Sequence, residues 1–151
     1  MVRSLWRCPK CGRRFANKNQ SHACAPPRRL ADHFAGRDPE VVRTFREILR
    51  LARLNGPVTV VPEKTRIALQ VRMSFAAFHL NRHWLDGHVV LARRLESPRF
   101  KRIYEVSPRN HVHEFRFSSA TEVDSEVESW LAEAYAVGQQ MHLQDLSESK
   151  P

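Results

Sequence analysis

The sequence predicts an α+β protein in which an antiparallel sheet of four to six strands packs with an N-terminal and a C-terminal helix, preceded by a small cysteine-bearing appendage. Three observations carry this reading. Apolar residues recur at 3.6-residue spacing only toward the two ends of the main segment, their period is two between those ends, and all three cysteines precede residue 25. The connections between strand-like runs are short, which favours antiparallel pairing over βαβ crossovers.

The appendage comes first. The run W-R-C-P-K-C-G-R-R-F is followed by N-K-N-Q-S-H-A-C. Cys8 and Cys11 form a C-x-x-C pair, at which one turn of backbone presents two sulfurs to a single ion while its N–H groups point at the thiolates. Gly12 accommodates the positive φ that such a turn needs. His22 and Cys24 complete a Cys3His set, the soft tetrahedral combination of a closed, structural Zn2+ site with no open position for catalysis. A redox role would place the C-x-x-C where a strand meets a helix in a βαβ pattern, and no such pattern surrounds it. So short a segment buries little core, so metal binding would supply most of its folding free energy. Trp6 and Phe15 are its expected miniature core, and Arg13, Arg14, Lys18, Arg28 and Arg29 its solvent face. Pro26 and Pro27 stiffen the connector. The expected units are a zinc-binding appendage with linker over 1–29, an α+β sandwich over 30–143 and a flexible tail over 144–151.

In the main segment Asp38 and Pro39 make an N-cap and first helical position. Val41, Val42, Phe45, Ile48, Leu49 and Ala52 then recur at helical spacing until Asn55, Gly56 and Pro57 stop the helix. From Val58 the period is two. Ile67, Leu69, Val71, Met73 and Phe75 alternate with Arg66, Ala68, Gln70, Arg72 and Ser74, which predicts one long strand with a buried face. Further strands are expected over 75–80, 85–92, 102–106 and 112–117, separated by N-R, S-P and S-P-R-N turn signals. Thr121, with Asp124 three residues on, opens the last helix in a capping-box-like pattern. Val123, Val127, Trp130, Leu131, Ala134 and Tyr135 form its stripe. Gly138 weakens this helix, and fraying is expected after Leu143. Glu122, Asp124, Glu126 and Glu128 crowd its first turns, where the macrodipole favours acids.

The segments W-x-C-P-x-C-G-R-x-F, H-x-C, G-P-V-T-V, K-T-R-I, R-M-S-F, L-D-G-H-V-V-L-A-R-R-L, S-P-R-N-H-V-H and W-L-x-E-A-Y together resemble a family of small bacterial proteins catalogued as a domain of unknown function. The resemblance covers nearly the whole chain. The core is also distantly similar to YdhG-like proteins, whose helix–sheet–helix order is like that of frataxin and some of which are described as iron chaperones. These likenesses imply the fold and the zinc site, and supply no catalytic residues.

The net charge of +9 is unevenly spread: residues 1–37 carry +8, residues 38–117 carry +7 and residues 118–151 carry −6. Such polarity steers a polyanion to one side of the molecule. Twenty of the 25 basic residues are Arg, which suits bidentate phosphate contacts. Arg-biased codon usage in a GC-rich genome would give the same count. Apolar runs are too short to span a bilayer, and basic residues interrupt the first fifteen positions, so neither a membrane segment nor a secretory signal is indicated. A cytoplasmic, reducing location is expected. G-x-S-x-G, Walker, H-E-x-x-H and G-x-G-x-x-G motifs are absent and the zinc set uses every cysteine, so a classical hydrolase is disfavoured and no catalytic residue is assigned.

The favoured function is a zinc-containing binding module for nucleic acid or another polyanion. It would use Arg13, Arg14, Lys18, Arg28 and Arg29 with Arg93, Arg94, Arg99, Lys101 and Arg102. One alternative is a frataxin-like metal-handling or small-ligand protein using the acidic run or the H-x-H pair His111 and His113. Another is an enzyme on a phosphorylated substrate in a pocket of Lys64, Arg72, His88 and His111, with His113 beside it.

Overall fold

Apolar stripes on two long helices meet one face of a six-stranded antiparallel sheet. The computed structural model describes residues 4–22, 24 and 29–141. Arg28, the prolines of the connector and the 144–151 tail lie outside the described residues. In chain order the elements are β1 (Trp6–Arg7), β2 (Arg14–Phe15), α1 (Leu30–Phe34), α2 (Pro39–Arg53), β3 (Thr59–Pro62), β4 (Ile67–Gln70), β5 (Ser74–Leu80), β6 (Leu85–Leu91), β7 (Arg102–Ser107), β8 (Asn110–Phe117), a 3-10 turn (Ala120–Glu122) and α3 (Ser125–Gly138). The large sheet has the order β3-β4-β5-β6-β8-β7, and β1 and β2 form a separate two-stranded ribbon.

Period-two patterning fixes which side chains meet the helices. Ile67, Leu69, Phe78, Val89, Leu91, Phe115 and Phe117 point inward, where Phe45 and Ile48 of α2 and Trp130 and Leu131 of α3 close over them. Of the predicted α2 stripe Val41, Phe45, Ile48 and Ala52 are buried and Val42 and Leu49 half-buried, while Thr44 and Leu51, outside that stripe, are buried as well. The intervening residues of the strands form the outer face, on which Val61, Ala68 and Ala77 make a small buried cluster of their own. At that side the appendage is tied down: the Gln70 amide donates to the Arg14 carbonyl at 2.7 Å, and Arg13 pairs with Glu63 at 3.6 Å. The short helix α1, which no sequence pattern announced, packs Leu30 and Phe34 against the main core beside α2, with the Phe34 ring 5.9 Å from that of Phe45, and its His33 ring bonds the Glu63 carbonyl at 2.7 Å.

Three expectations need correction. The long strand over 66–75 is two strands joined by a hairpin bend. The N–H groups of Arg72 and Met73 both donate to the Gly138 carbonyl, at 2.9 and 3.1 Å, so Val71–Met73 leave the ladder and β5 returns antiparallel to β4. The last helix starts at Asp124, not Thr121. Ser119 and Glu122 form a capping box around the 3-10 turn, and the Asp124 carboxylate then accepts the Val127 N–H as the cap of α3. The helix also ends at Gly138, and that glycine fits its packing: a Cβ there would lie 2.7 Å from Cδ1 of Phe75.

Asp124 also receives Arg99, at 2.9 and 3.1 Å, so one carboxylate caps a helix and anchors the 92–101 loop. Replacing Asp124 with Ala should lower stability by about 1–2 kcal/mol. A chemical-denaturation midpoint equal to that of the wild type would show that the cap contributes nothing.

Candidate metal centre

The β1–β2 ribbon pairs Trp6 with Phe15 and Arg7 with Arg14, which forces the intervening chain into a tight loop. Within it the Cys8 N–H donates to the Arg13 carbonyl and the Gly12 N–H to the Cys8 carbonyl, both at 2.8 Å. Gly12 has φ +75°, where an L side chain would be strained. The loop points Cys8 and Cys11 sulfurs toward His22 and Cys24, and the four ligand atoms lie within 4.8 Å of one another. Cys8 Sγ is 3.7 Å from Cys24 Sγ, and His22 Nε2 is 3.3 Å from the sulfurs of both Cys11 and Cys24. Tetrahedral coordination at ordinary metal–sulfur and metal–nitrogen lengths separates ligand atoms by about 3.5–3.8 Å. The set therefore fits one ion.

Neighbouring groups prepare these ligands. The His22 Nδ1–H donates to the Gln20 carbonyl at 2.6 Å, which leaves the Nε2 lone pair for an ion. The Cys11 backbone N–H, and then that of Lys10, lower the Cys8 thiol to about 6, toward the thiolate that a metal needs. Burial, followed by the neighbouring Cys8 sulfur, raises that of Cys24. The Gln20 carbonyl raises the His22 pKa. The expected miniature core is there: the Phe15 ring lies 4.3 Å from His22 and 6.1 Å from Trp6, with the Arg13 guanidinium over it at 4.9 Å.

The basic residues divide into two groups. Arg14, Lys18 and Arg29 are exposed, with no acidic partner within 4.0 Å among the described residues. The core set does not form one open basic face, because α3 and its neighbours neutralise it. Arg93 makes two 3.0 Å bonds to Glu133, Arg94 binds Glu96, and Arg99 binds Asp124, Glu126 and the Glu122 carbonyl. Lys101 lies 3.9 Å from Asp86, and Arg102 stacks over Tyr104 at 4.4 Å. Sequence reasoning missed the Arg93 and Arg99 pairs because they join loop 92–101 to a helix some 25 to 40 residues away.

The residues suggested for a ligand pocket do not converge. Lys64 is exposed in the β3–β4 turn, and Arg72 sits in the hairpin bend, its Nε bonded to Gln140. His111 and His113 share the helix-facing side of β8, opposite to that of His88. His113 is fully buried: its Nδ1–H donates to the His111 carbonyl and its Nε2 accepts the Leu95 N–H, both at 2.9 Å. Neither nitrogen is left for a metal, so the H-x-H pair is a structural feature. Glu122 and Asp124 are likewise engaged as caps. Among the described residues the Cys3His set is the one group of three or more such side chains whose ligand atoms converge.

His88 instead looks outward, into a cavity of about 230 Å³ shared with Arg66, His79, Asp86, Lys101 and Glu114. Burial, and then the Arg66 charge, push its pKa down to about 4.

Fold and site together define a small α+β protein bearing an appendage whose Cys3His group could hold a metal ion. Residues 30–138 match the model of the domain of unknown function DUF5655, and the chain belongs to that family. Cys8, Cys11, His22 and Cys24 precede the matched segment. No curated protein and no solved structure matches the chain. No helix among the described residues is long and apolar enough to cross a membrane.

Proposed function

We propose that this protein is a zinc-stabilised binding module that docks on the phosphate backbone of nucleic acid through its appendage. The observation that carries the reading is the charge of that segment: residues 1–29 contain eight Lys and Arg and no Asp or Glu. Zn2+ with three thiolates and a neutral histidine has a net charge of about −1, so the surrounding cations exceed what the site itself needs. Arg14 lies on the β1–β2 ribbon and Lys18 in the turn between that ribbon and His22, both in a segment that a bound metal would stiffen, so less ordering entropy opposes their contacts with phosphate. Arg93, Arg94 and Arg99, already paired with acids, contribute less. Backbone contacts of this kind position without reading sequence. Thiolate ligands persist in a reducing compartment, which supports a cytoplasmic location.

The test is binding of a labelled duplex by the zinc-loaded chain across a salt series. About four phosphate contacts would give a log–log slope near −3.6, and the double variant Arg14→Gln, Lys18→Gln should flatten it by about 2. Absence of binding at low salt, or a slope the double variant leaves unchanged, would refute the docking surface.

A further inference from the structure

Where the appendage meets the sheet there is a second, separate concentration of positive charge. A cavity of about 400 Å³ lies between β2, the His22 loop and the bend after β4, and three guanidiniums, those of Arg13, Arg66 and Arg72, line it against a single carboxylate, Glu63. We propose that this junction cavity binds a phosphomonoester, the dianionic end of a phosphorylated compound. It goes beyond the backbone-docking surface, because neither Arg14 nor Lys18 lines it.

The arginines are held by groups other than the ligand. Arg66 bonds Glu63 through Nε at 2.9 Å, and Arg72 bonds the Gln140 side chain through Nε at 3.0 Å. Each therefore spends the one nitrogen that fixes the plane of its fork and keeps its two terminal nitrogens without a protein acceptor among the described residues. Arg13 is held over the Phe15 ring and beside Glu63, and its Nε is buried without a partner. Buried donors are normally satisfied, and pre-positioned guanidinium forks match the paired oxygens of a phosphate. Three like charges sharing one carboxylate repel one another, and a bound dianion converts that repulsion into attraction. The volume exceeds that of a bare phosphate ion, which leaves room for the organic group it is esterified to.

The metal and the anion share a wall. His22, a metal ligand, and Gln20, whose carbonyl orients it, both line the cavity. Removing the metal should therefore weaken the anion site as well.

The experiment titrates the zinc-loaded full chain with phenyl phosphate and with inorganic phosphate, followed by calorimetry and 31P line broadening. Both should bind. Arg72→Gln should weaken phenyl phosphate about tenfold or more at unchanged zinc content. Arg66→Gln, at a half-exposed side chain whose loss spares the fold, should weaken it in the same direction. Arg14→Gln with Lys18→Gln should leave it unchanged, which separates this site from the docking surface. No saturable binding of phenyl phosphate, or wild-type affinity in both arginine variants, overturns the proposal. Two oligonucleotides differing only in a 5′-phosphate identify the source. Preference for the phosphorylated one, lost in Arg72→Gln, assigns the site to nucleic-acid ends, and equal affinity for the two beside binding of phenyl phosphate assigns it to a free phosphomonoester.

Discussion

Metal chelation should unfold the appendage and leave the large sheet and the helices standing. The appendage holds Phe15 and Trp6 as its apolar content, worth about 1.5–3 kcal/mol for each side chain fully buried. The entropy lost in ordering the segment is larger than that, and in the proposed reading a bound structural zinc ion makes up the deficit. The main core contains no residue from the appendage, so it should survive. Its direct losses are the 2.7 Å bond from Gln70 to the Arg14 carbonyl and the half-buried Arg13–Glu63 pair, each worth about 1 kcal/mol. Hydrogen exchange reads both halves at once. After chelation, or in Cys11→Ser, the Cys8 and Gly12 amides should exchange freely while the β5–β6 ladder stays protected. Protection of Gly12 retained without metal would mean that the aromatic contacts suffice. Simultaneous loss of the β5–β6 ladder would mean that appendage and core form one cooperative unit.

What the sequence disclosed follows the range of the interactions involved. The Cys3His set was legible because ligation imposes spacing within a few residues, C-x-x-C and H-x-C, and because glycine follows the second cysteine. The α2 stripe and the strands of the sheet were legible because one buried face imposes a period. The bend at Val71–Met73 was not. It holds no Gly, Pro or Asn, alternation runs through the reversal, and the acceptor that pulls Arg72 and Met73 out of the ladder is the Gly138 carbonyl, more than sixty residues on. Gly138 itself reads locally as a weak point in a helix and globally as the place where Phe75 needs room. The arginines of loop 92–101 read as an open basic patch until α3 folds its acids against them. His88 and His111 sit on adjacent strands but point to opposite faces, which becomes clear once the β6–β8 register sets His88 against Glu114.

Acidification below pH 6.5 should cost this protein stability before its carboxylates titrate, because two histidines are folded in the neutral form. In His88 burial is the main cause, with Arg66 adding repulsion, and the pKa falls from 6.5 to about 4. In His113 burial is again first, and the pKa is lowered. A native pKa below the unfolded one means that the unfolded chain binds more protons through the interval between them. The contribution is therefore complete above pH 6.5 and is lost as pH falls toward 4. At 1.36 kcal/mol per unit, His88 alone accounts for up to about 3 kcal/mol. The charges facing it are Arg66, His79, Asp86, Lys101 and Glu114, and the carboxylates among them soften the effect without reversing it. His88→Gln keeps a neutral polar side chain and removes the titration. The gap in unfolding free energy between wild type and variant should then shift by about 2–3 kcal/mol between pH 7 and pH 4, with the wild type losing more. Release of the metal at low pH is common to both proteins and cancels in the difference. Parallel stability curves would show that His88 is protonated freely in the folded state. A convergent pair would show that the outer-face cavity holds a neutral imidazole at physiological pH, able to donate or accept one hydrogen bond there.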